Sequence, residues 1–181
     1  GLGDVYKRQQ EIHGFCDGRT VSSITFPNVT AVQALTTTHT DLTGTNITYT
    51  PPAGTKTVVY TVTLAWHSDD YSGISHFKFL IDSTEVTLAR RTISASYEAN
   101  HQPTFRLVFD YPILIDSTLA SDDIANGKLK SWTGAKTLKM QAREYSGSYE
   151  ATIHKNNWWD GAGASGQDNI GMPTISLKAI A

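Results

Sequence analysis

The chain has 181 residues, a formal net charge of −2 at pH 7 and a pI near 6.3, a size that suits one domain with a buried core. Its 15 basic and 17 acidic residues are nearly balanced, which argues against a nucleic-acid binder, since such proteins carry a basic surplus. The single cysteine, Cys16, excludes an intrachain disulfide framework. No apolar run reaches the length of a membrane-spanning helix.

Charged residues make up 18% of the chain, below the roughly 25% that is typical of soluble domains. Threonine and serine take much of their place. Such a β-branched, polar but uncharged composition favours sheets. It also suits sheet surfaces that pack against further copies of the same chain.

The N-terminal residues 1–9 share no pattern with the sequence that follows. They resemble a translated sequencing-adapter fragment, and the alternative is a genuine, disordered arm. We therefore set residues 1–9 apart from the fold. Residues 10–17 are then a lead-in, and residues 18–181, which contain no linker or internal repeat, form a single predicted domain.

Alternation of polar and apolar residues predicts strands along the first half of the domain, at 19–26, 30–35 and 45–50. The longest candidate follows at Thr57–Trp66. One of its faces carries large apolar side chains, namely those of Val58, Tyr60, Val62, Leu64 and Trp66. The other face is β-branched or small, so this strand is predicted to lie in the centre of its sheet.

Two hairpins are predicted in the second half. Residues 74–81 and 85–91 alternate on either side of the turn at Asp82-Ser83, and residues 136–145 and 149–154 flank the short turn at 146–148.

Two further strands are predicted at 104–111 and 173–180, and only residues 121–130 could carry a helical turn. Eight to ten strands with very little helix predict an all-β fold. Because two amphipathic sheets bury each other's apolar faces, the expected architecture is a two-sheet antiparallel sandwich of the jelly-roll type.

Several segments resemble predicted structural proteins of marine bacteriophages. They are Ile47–Tyr60 (ITYTPPAGTKTVVY), Ile74–Phe79 (ISHFKF), Ile81–Val86 (IDSTEV), Ala142–Tyr145 (AREY), Trp159–Gly161 (WDG) and Pro173–Ile180 (PTISLKAI). The resemblance implies a trimeric jelly-roll head of the tumour-necrosis-factor and complement C1q shape. It also implies a place on a tail or capsid fibre of a virion, among other virion proteins. These motifs are structural, and none of them is a catalytic signature.

A search for catalytic chemistry finds little. The six histidines (13, 39, 67, 76, 101 and 154) occur singly, without the spacing of a metal pair. No Gly-x-Ser-x-Gly motif is present, and the glycine-rich run at 161–166 lacks the Gly-Lys-Ser/Thr ending of a phosphate-binding loop. The paired carboxylates Asp69-Asp70 and Asp122-Asp123 are typical of solvated turns, although calcium is a weaker alternative. We predict that the chain is not an enzyme and uses no cofactor or metal.

Aromatic residues give the best candidate for a binding site. Three predicted loops, 68–73, 96–102 and 155–171, carry rings beside hydrogen-bonding groups, an arrangement with which lectins stack on sugars. The candidate ligand-binding residues are Tyr71, Tyr97, His101, Trp158, Trp159 and Asp160. The alternative is that the two tryptophans pack in the core and at a subunit interface.

Three function classes are compatible with this sequence. The first is a non-enzymatic virion structural protein, a homotrimeric fibre head or decoration domain on a tail or capsid that contacts a host-surface glycan. The alternative is a carbohydrate-binding module or adhesin domain of a marine microbe, which would be extracellular. A glycan-degrading enzyme is the third. Because all three occur on sandwich folds, fold alone does not decide between them.

Overall fold

The computed structural model describes residues 8–69, 72–95, 102–156 and 170–181. These residues form an all-β sandwich, which confirms the predicted fold class. One short 3₁₀ turn, Ile124–Asn126, lies inside the segment for which a helical turn was predicted. No helix in the described ranges is long and apolar enough to cross a membrane.

Seven strands form the first sheet: β1 (Arg8–Phe15), β4 (Gln33–Ala34), β7 (Thr57–Ser68), β10 (Thr104–Ile115), β11 (Lys128–Leu129), β13 (Ala151–Ile153) and β14 (Thr174–Ile180). Five form the second sheet: β5 (Thr40–Asp41), β6 (Ile47–Tyr49), β8 (Ile74–Ile81), β9 (Thr84–Ser94) and β12 (Lys136–Glu144). A small separate ribbon consists of β2 (Thr20–Val21) and β3 (Ile24–Thr25).

The long strands of the first sheet lie in the order β1-β14-β7-β10, and all of their pairings are antiparallel. In the second sheet β5 and β6 both pair with β12, followed by β8 and β9. The chain crosses repeatedly between the two sheets, and this order is that of a jelly roll. The short β11 departs from the antiparallel pattern, since it pairs in parallel with the end of β10.

Aromatic side chains join the two sheets across the core. Phe79 of β8 stacks on Tyr111 of β10, with ring centroids 4.4 Å apart, and on Tyr60 of β7 at 5.4 Å. Phe77 and Phe109 meet beside them at 5.0 Å. These rings combine a large buried apolar area with favourable ring-to-ring geometry, so they fix the spacing of the two sheets.

The prediction of a central strand at 57–66 is confirmed, because β7 lies between β14 and β10. Its five predicted inward side chains are all buried. The first predicted hairpin is also present as β8 and β9, whose turn places Asp82 at φ 55°. The last strand, β14, buries Ile175, Leu177 and Ala179 as expected.

The predicted second hairpin is wrong. Strand β12 belongs to the second sheet, whereas β13 pairs with β4 and β7 in the first. The chain therefore changes sheets between residues 145 and 150. All three residues of β13 are buried, and a strand buried on both faces has no alternation that would reveal its partner.

Strand β1 extends the sandwich towards the N-terminus of the chain. It pairs with β14 from Arg8 to Phe15 and buries Ile12. The segment 10–17, which the sequence analysis treated as a lead-in before a domain starting at residue 18, thus contributes an edge strand, and Arg8 and Gln9 belong to it as well.

Strand β10 continues past its predicted end at residue 111, through Pro112 to Ile115. The amide of Ile115 donates to Lys56 on the β7 side, and the amide of Leu114 donates to Gly127 on the other side. Successive amides along β10 thus point alternately towards β7 and away from it. The nitrogen of Pro112 lies on the side away from β7, so the proline removes no hydrogen bond between β10 and β7.

We expect Phe79→Ala to lower the free energy of unfolding by about 3–5 kcal/mol, because it removes the ring that contacts both Tyr60 and Tyr111 and leaves a cavity. Tyr145→Ala, which truncates a 56% exposed ring, should cost only about 1 kcal/mol. Urea unfolding followed by circular dichroism measures both. Equal losses in the two variants would contradict the assignment of the aromatic stack as the joint between the sheets.

Candidate functional site at one end of the sandwich

The six candidate ligand-binding residues fall in the three loops named above. All of them, Tyr71, Tyr97, His101, Trp158, Trp159 and Asp160, lie outside the described residues. The described ends of the loops, in contrast, can be located.

The described ends of all three loops meet at one end of the sandwich. The amide of Ser68 donates to Pro103 (3.1 Å), and the amide of Ala95 donates to Gly73 (3.0 Å), so the first two loops are joined at both ends. The third loop starts and ends at the β-bridge between Lys155 and Ile170. Because Lys155 also contacts Asp69, these loops share one end of the fold.

Asp69 is the centre of a polar cluster that holds this end together. Its carboxylate accepts a hydrogen bond from Lys155 Nζ at 2.6 Å and another from the Thr152 hydroxyl. Its backbone carbonyl accepts from Gln102 Nε2 at 2.7 Å, and its amide donates to Glu150. One residue thus ties the start of the first loop to the end of the second and the start of the third.

His67 completes the cluster. The ring lies between the Thr104 hydroxyl, 2.8 Å from Nδ1, and the Asp69 carboxylate, 3.6 Å from Nε2. A hydroxyl, an imidazole and a carboxylate in a row are the components of a nucleophile activated by a base. Here, however, His67 is 0% exposed and the His–Asp distance exceeds a hydrogen bond. The arrangement is suited to joining strands β7 and β10 rather than to reaching a substrate.

Close packing also fixes the start of β8. The amide of Gly73 donates to Ser68 Oγ at 2.7 Å. A Cβ at this glycine would lie 2.9 Å from both Ser68 Oγ and the Trp66 ring. Any larger residue must displace the buried Trp66, whose indole N–H donates to Ser75 Oγ at 2.8 Å.

Glu144, at the end of β12, adds a buried carboxyl to the same end of the sandwich, since its side chain is only 7% exposed. Burial raises the pKa of this carboxyl, and the nearby charges of Glu150 and Asp69 raise it further. The folded state consequently favours the protonated form of Glu144 more than the unfolded state does.

A shallow cleft of about 390 Å³ lies on the outer surface of the first sheet beside the third loop. Thr63 and Ala65 of β7 form its floor, and Phe105, Arg106 and Asn156 lie around it. Asn156 is the last described residue before the segment that contains Trp158, Trp159 and Asp160. The guanidinium of Arg106 and the amide of Asn156 beside a small cleft can hydrogen-bond a polar ligand. The Phe105 ring instead stacks on Trp66 on the core side of the sheet, with ring centroids 5.8 Å apart.

Sequence reasoning missed this cleft and the Asp69 cluster. The sequence predicts only a strand at Phe105 and Arg106 and a solvated turn at Asp69. Their meeting depends on the pairing of β7 with β10, for which the sequence carries no signal. Within the described ranges, no group of three or more His, Cys, Asp or Glu side chains is placed to hold a metal ion.

Comparison with protein-family models finds no match to this chain. A comparison with curated protein sequences likewise finds none.

We expect Glu144→Gln to raise the melting temperature at pH 7, because it removes a carboxylate that must be ionised in a buried, acidic setting. The folded-state pKa of Glu144 lies above its unfolded value, so its contribution to stability is present at low pH and is lost as the pH rises through that folded-state pKa. The stabilising effect should therefore shrink towards pH 4. Calorimetry from pH 4 to pH 8 measures it, with the exposed Glu11→Gln as control. If the difference in melting temperature between Glu144→Gln and the native chain stays constant across this pH range, ionisation of Glu144 is not its cause.

Proposed function

We propose that this chain is a non-enzymatic structural module that assembles with two further copies of itself, as the head of a fibre or as a decoration domain on a virion. The observation that carries the proposal is the chemical difference between the outer faces of the two sheets. The setting on a virion is supported by the sequence resemblance alone.

The outer face of the first sheet is poor in charge. Its long strands present mainly threonine, serine, alanine and aliphatic side chains: Val59, Thr61, Thr63 and Ala65 of β7, Ser176 and Ile180 of β14, and Val108, Pro112 and Leu114 of β10. Of the charges there, Glu11 and Lys178 lie 3.6 Å apart, and Asp110 accepts a hydrogen bond from Thr61. The exposed Arg106 lies opposite Ala65 at the cleft. Such a face can be desolvated at little cost.

The outer face of the second sheet has the opposite character. Charged side chains cover it, among them Asp41, Lys78, Glu85, Arg90, Lys139 and Arg143. Desolvating these charges would be expensive. We therefore assign the first sheet to contacts between copies and the second sheet to solvent.

The side of the sandwich between β9 and β10 offers a second surface for assembly. In the described part of the chain, no strand pairs with the outer side of β9, and β10 pairs there only at its last two residues. A groove of about 200 Å³ lies between the two edges. Leu88, which lines this groove, is 67% exposed. Open edges of this kind invite aggregation unless a neighbour covers them.

An edge that packs on the face of the next copy is a heterologous contact, and it generates either a closed ring or an open filament. A head that ends a fibre requires the closed form. Three-fold closure is the form that the resemblance to tumour-necrosis-factor and C1q heads implies, and it uses both surfaces in every copy.

A host-surface glycan is the external partner that we propose for the loop end. The convergence of the described loop ends around Asp69 supports a common site for Tyr71, Tyr97, His101, Trp158, Trp159 and Asp160. Three such sites on one trimer would gain avidity, so weak binding at each site would suffice. A monomeric carbohydrate-binding module would use the same end of the fold.

We expect the chain to elute as a species of about 59 kDa, three times 19.8 kDa, in light scattering. Val59→Lys and Val108→Lys place charges in the proposed interface and should each convert the protein to a folded monomer near 20 kDa. Thr48→Lys, on the exposed face of β6 in the second sheet, is the control and should remain trimeric. A monomeric native chain, or three variants that behave alike, would refute the proposed assembly.

We also expect a glycan array probed with the native trimer to show binding that Trp158→Ala or Trp159→Ala abolishes without lowering the melting temperature. Tyr145→Ala, an exposed aromatic at the same end of the sandwich, is the matched control. A blank array would leave the domain purely architectural. Unfolding of both tryptophan variants would show that these rings are structural.

A further inference from the structure

A basic pocket lies on the outer face of the second sheet, on the opposite side of the sandwich from the proposed interface. Its volume is about 340 Å³, and β8, β9, β12 and the segment before β5 enclose it. The polar and charged residues that line it are His39, His76, Lys78, Arg90, Arg91, Thr92 and Arg143. Its position on a flat sheet face leaves it open to solvent and to large ligands.

The pocket holds more positive charge than its carboxylates neutralise. Glu85 contacts Lys78 at 3.3 Å and Arg90 at 2.5 Å, and it is the carboxylate that pairs with these cations. Within the described residues Arg91 and Arg143 form no salt bridge and donate instead to backbone carbonyls, Arg91 to Leu88 and Arg90, and Arg143 to Thr37. The register pairs Arg91 with the inward Phe77, so its side chain lies on the other face of β9, near Tyr111. Three cations, those of Lys78, Arg90 and Arg143, thus face one carboxylate in the pocket, in a chain whose formal net charge is −2.

Two histidines in the pocket have unused ring nitrogens. Nε2 of His39 and Nε2 of His76 are both buried and have no hydrogen-bond partner. Nδ1 of His76 lies 3.1 Å from the Thr92 hydroxyl, so the proton of a neutral ring can reside on Nε2 when that hydroxyl donates. Buried polar atoms are nearly always satisfied in proteins, which makes two orphaned nitrogens in one pocket a sign of an absent partner.

The charges around His39 determine what that partner can be. Burial lowers the pKa of His39, the cations of Lys78 and Arg143 lower it further, and His76 adds to the effect, while Glu85 opposes it. The ring is therefore disfavoured as a cation and can act as a neutral donor. A ligand that accepts hydrogen bonds and carries negative charge satisfies the histidines and the surplus positive charge of the pocket together.

We propose that this pocket binds a tetrahedral oxyanion, the sulfate or phosphate group of a larger ligand, with Arg90 and Arg143 as its charged contacts and His39 and His76 as neutral donors. The site is independent of assembly, because it lies on the charged face that the proposed trimer leaves in solvent. It is also separate from the aromatic loops at the end of the sandwich.

The test is titration of the full chain with sodium sulfate and with sodium phosphate, each against sodium chloride at equal ionic strength. Calorimetry and the ring-nitrogen NMR signals of ¹⁵N-histidine-labelled protein provide the readouts. We expect saturable binding that shifts the signals of His39 and His76. The double variant Arg90→Gln/Arg143→Gln should weaken it by about tenfold or more. A sulfated oligosaccharide and glycerol phosphate, titrated in parallel, identify which ester the site prefers.

The matched control is Lys56→Gln/Lys130→Gln, which removes the same charge at exposed positions outside the pocket and should bind like the native chain. Both double variants should unfold near the native temperature, since the one salt bridge that is lost, Arg90–Glu85, involves a 61% exposed arginine and such surface pairs contribute little to stability. Absence of saturable binding, equal weakening in the two double variants, or shifts confined to other histidines would each overturn the proposal. The trimer is tested by a different measurement, the mass of the protein in solution. A monomeric mass would refute the trimer and would leave the anion site unaffected.

Discussion

Strand β7 is the element on which the rest of the sandwich depends. It pairs with β14, β10 and β13, while its inner face supplies Tyr60 and Trp66 to the core. Both rings are anchored at their polar ends. The Tyr60 hydroxyl donates to the Thr45 carbonyl, and the Trp66 N–H donates to Ser75 of the second sheet. A buried ring that also satisfies its polar atom holds two layers in one register, since any slip would leave a donor unpaired.

The same strand organises the surfaces to which we assign functions. Its outer face is short-chained and uncharged, and on that property we base the proposal that the first sheet contacts other copies. Its C-terminal end carries His67 and precedes Asp69, around which the described ends of three loops meet. Because the proposed assembly surface and the loop end are built on one strand, changes in the loops need not disturb the proposed contacts between copies.

The two sheets divide the chemistry of the chain between them. Uncharged residues predominate on the outer face of the first sheet, and the second presents acids, lysines and arginines. Most of these charges neutralise each other in salt bridges. In the basic pocket, positive charge is left without a neutralising carboxylate. Concentrated positive charge beside unsatisfied histidine nitrogens is costly for a fold to maintain, and this cost is the physical argument for a bound anion.

The sequence by itself determined the fold class and the central strand, because period-two alternation over ten residues can be satisfied only by a half-buried strand. It also located the Asp82-Ser83 hairpin, whose turn is a local feature. Only the tertiary structure decided that β13 leaves the second sheet, that residues 8–15 form an edge strand, and that Asp69 joins three loops. Only the tertiary structure shows the basic pocket as well, since His39 and Arg143 are distant in sequence. Contacts of this sort depend on which strands become neighbours, and local pattern carries no information about that choice.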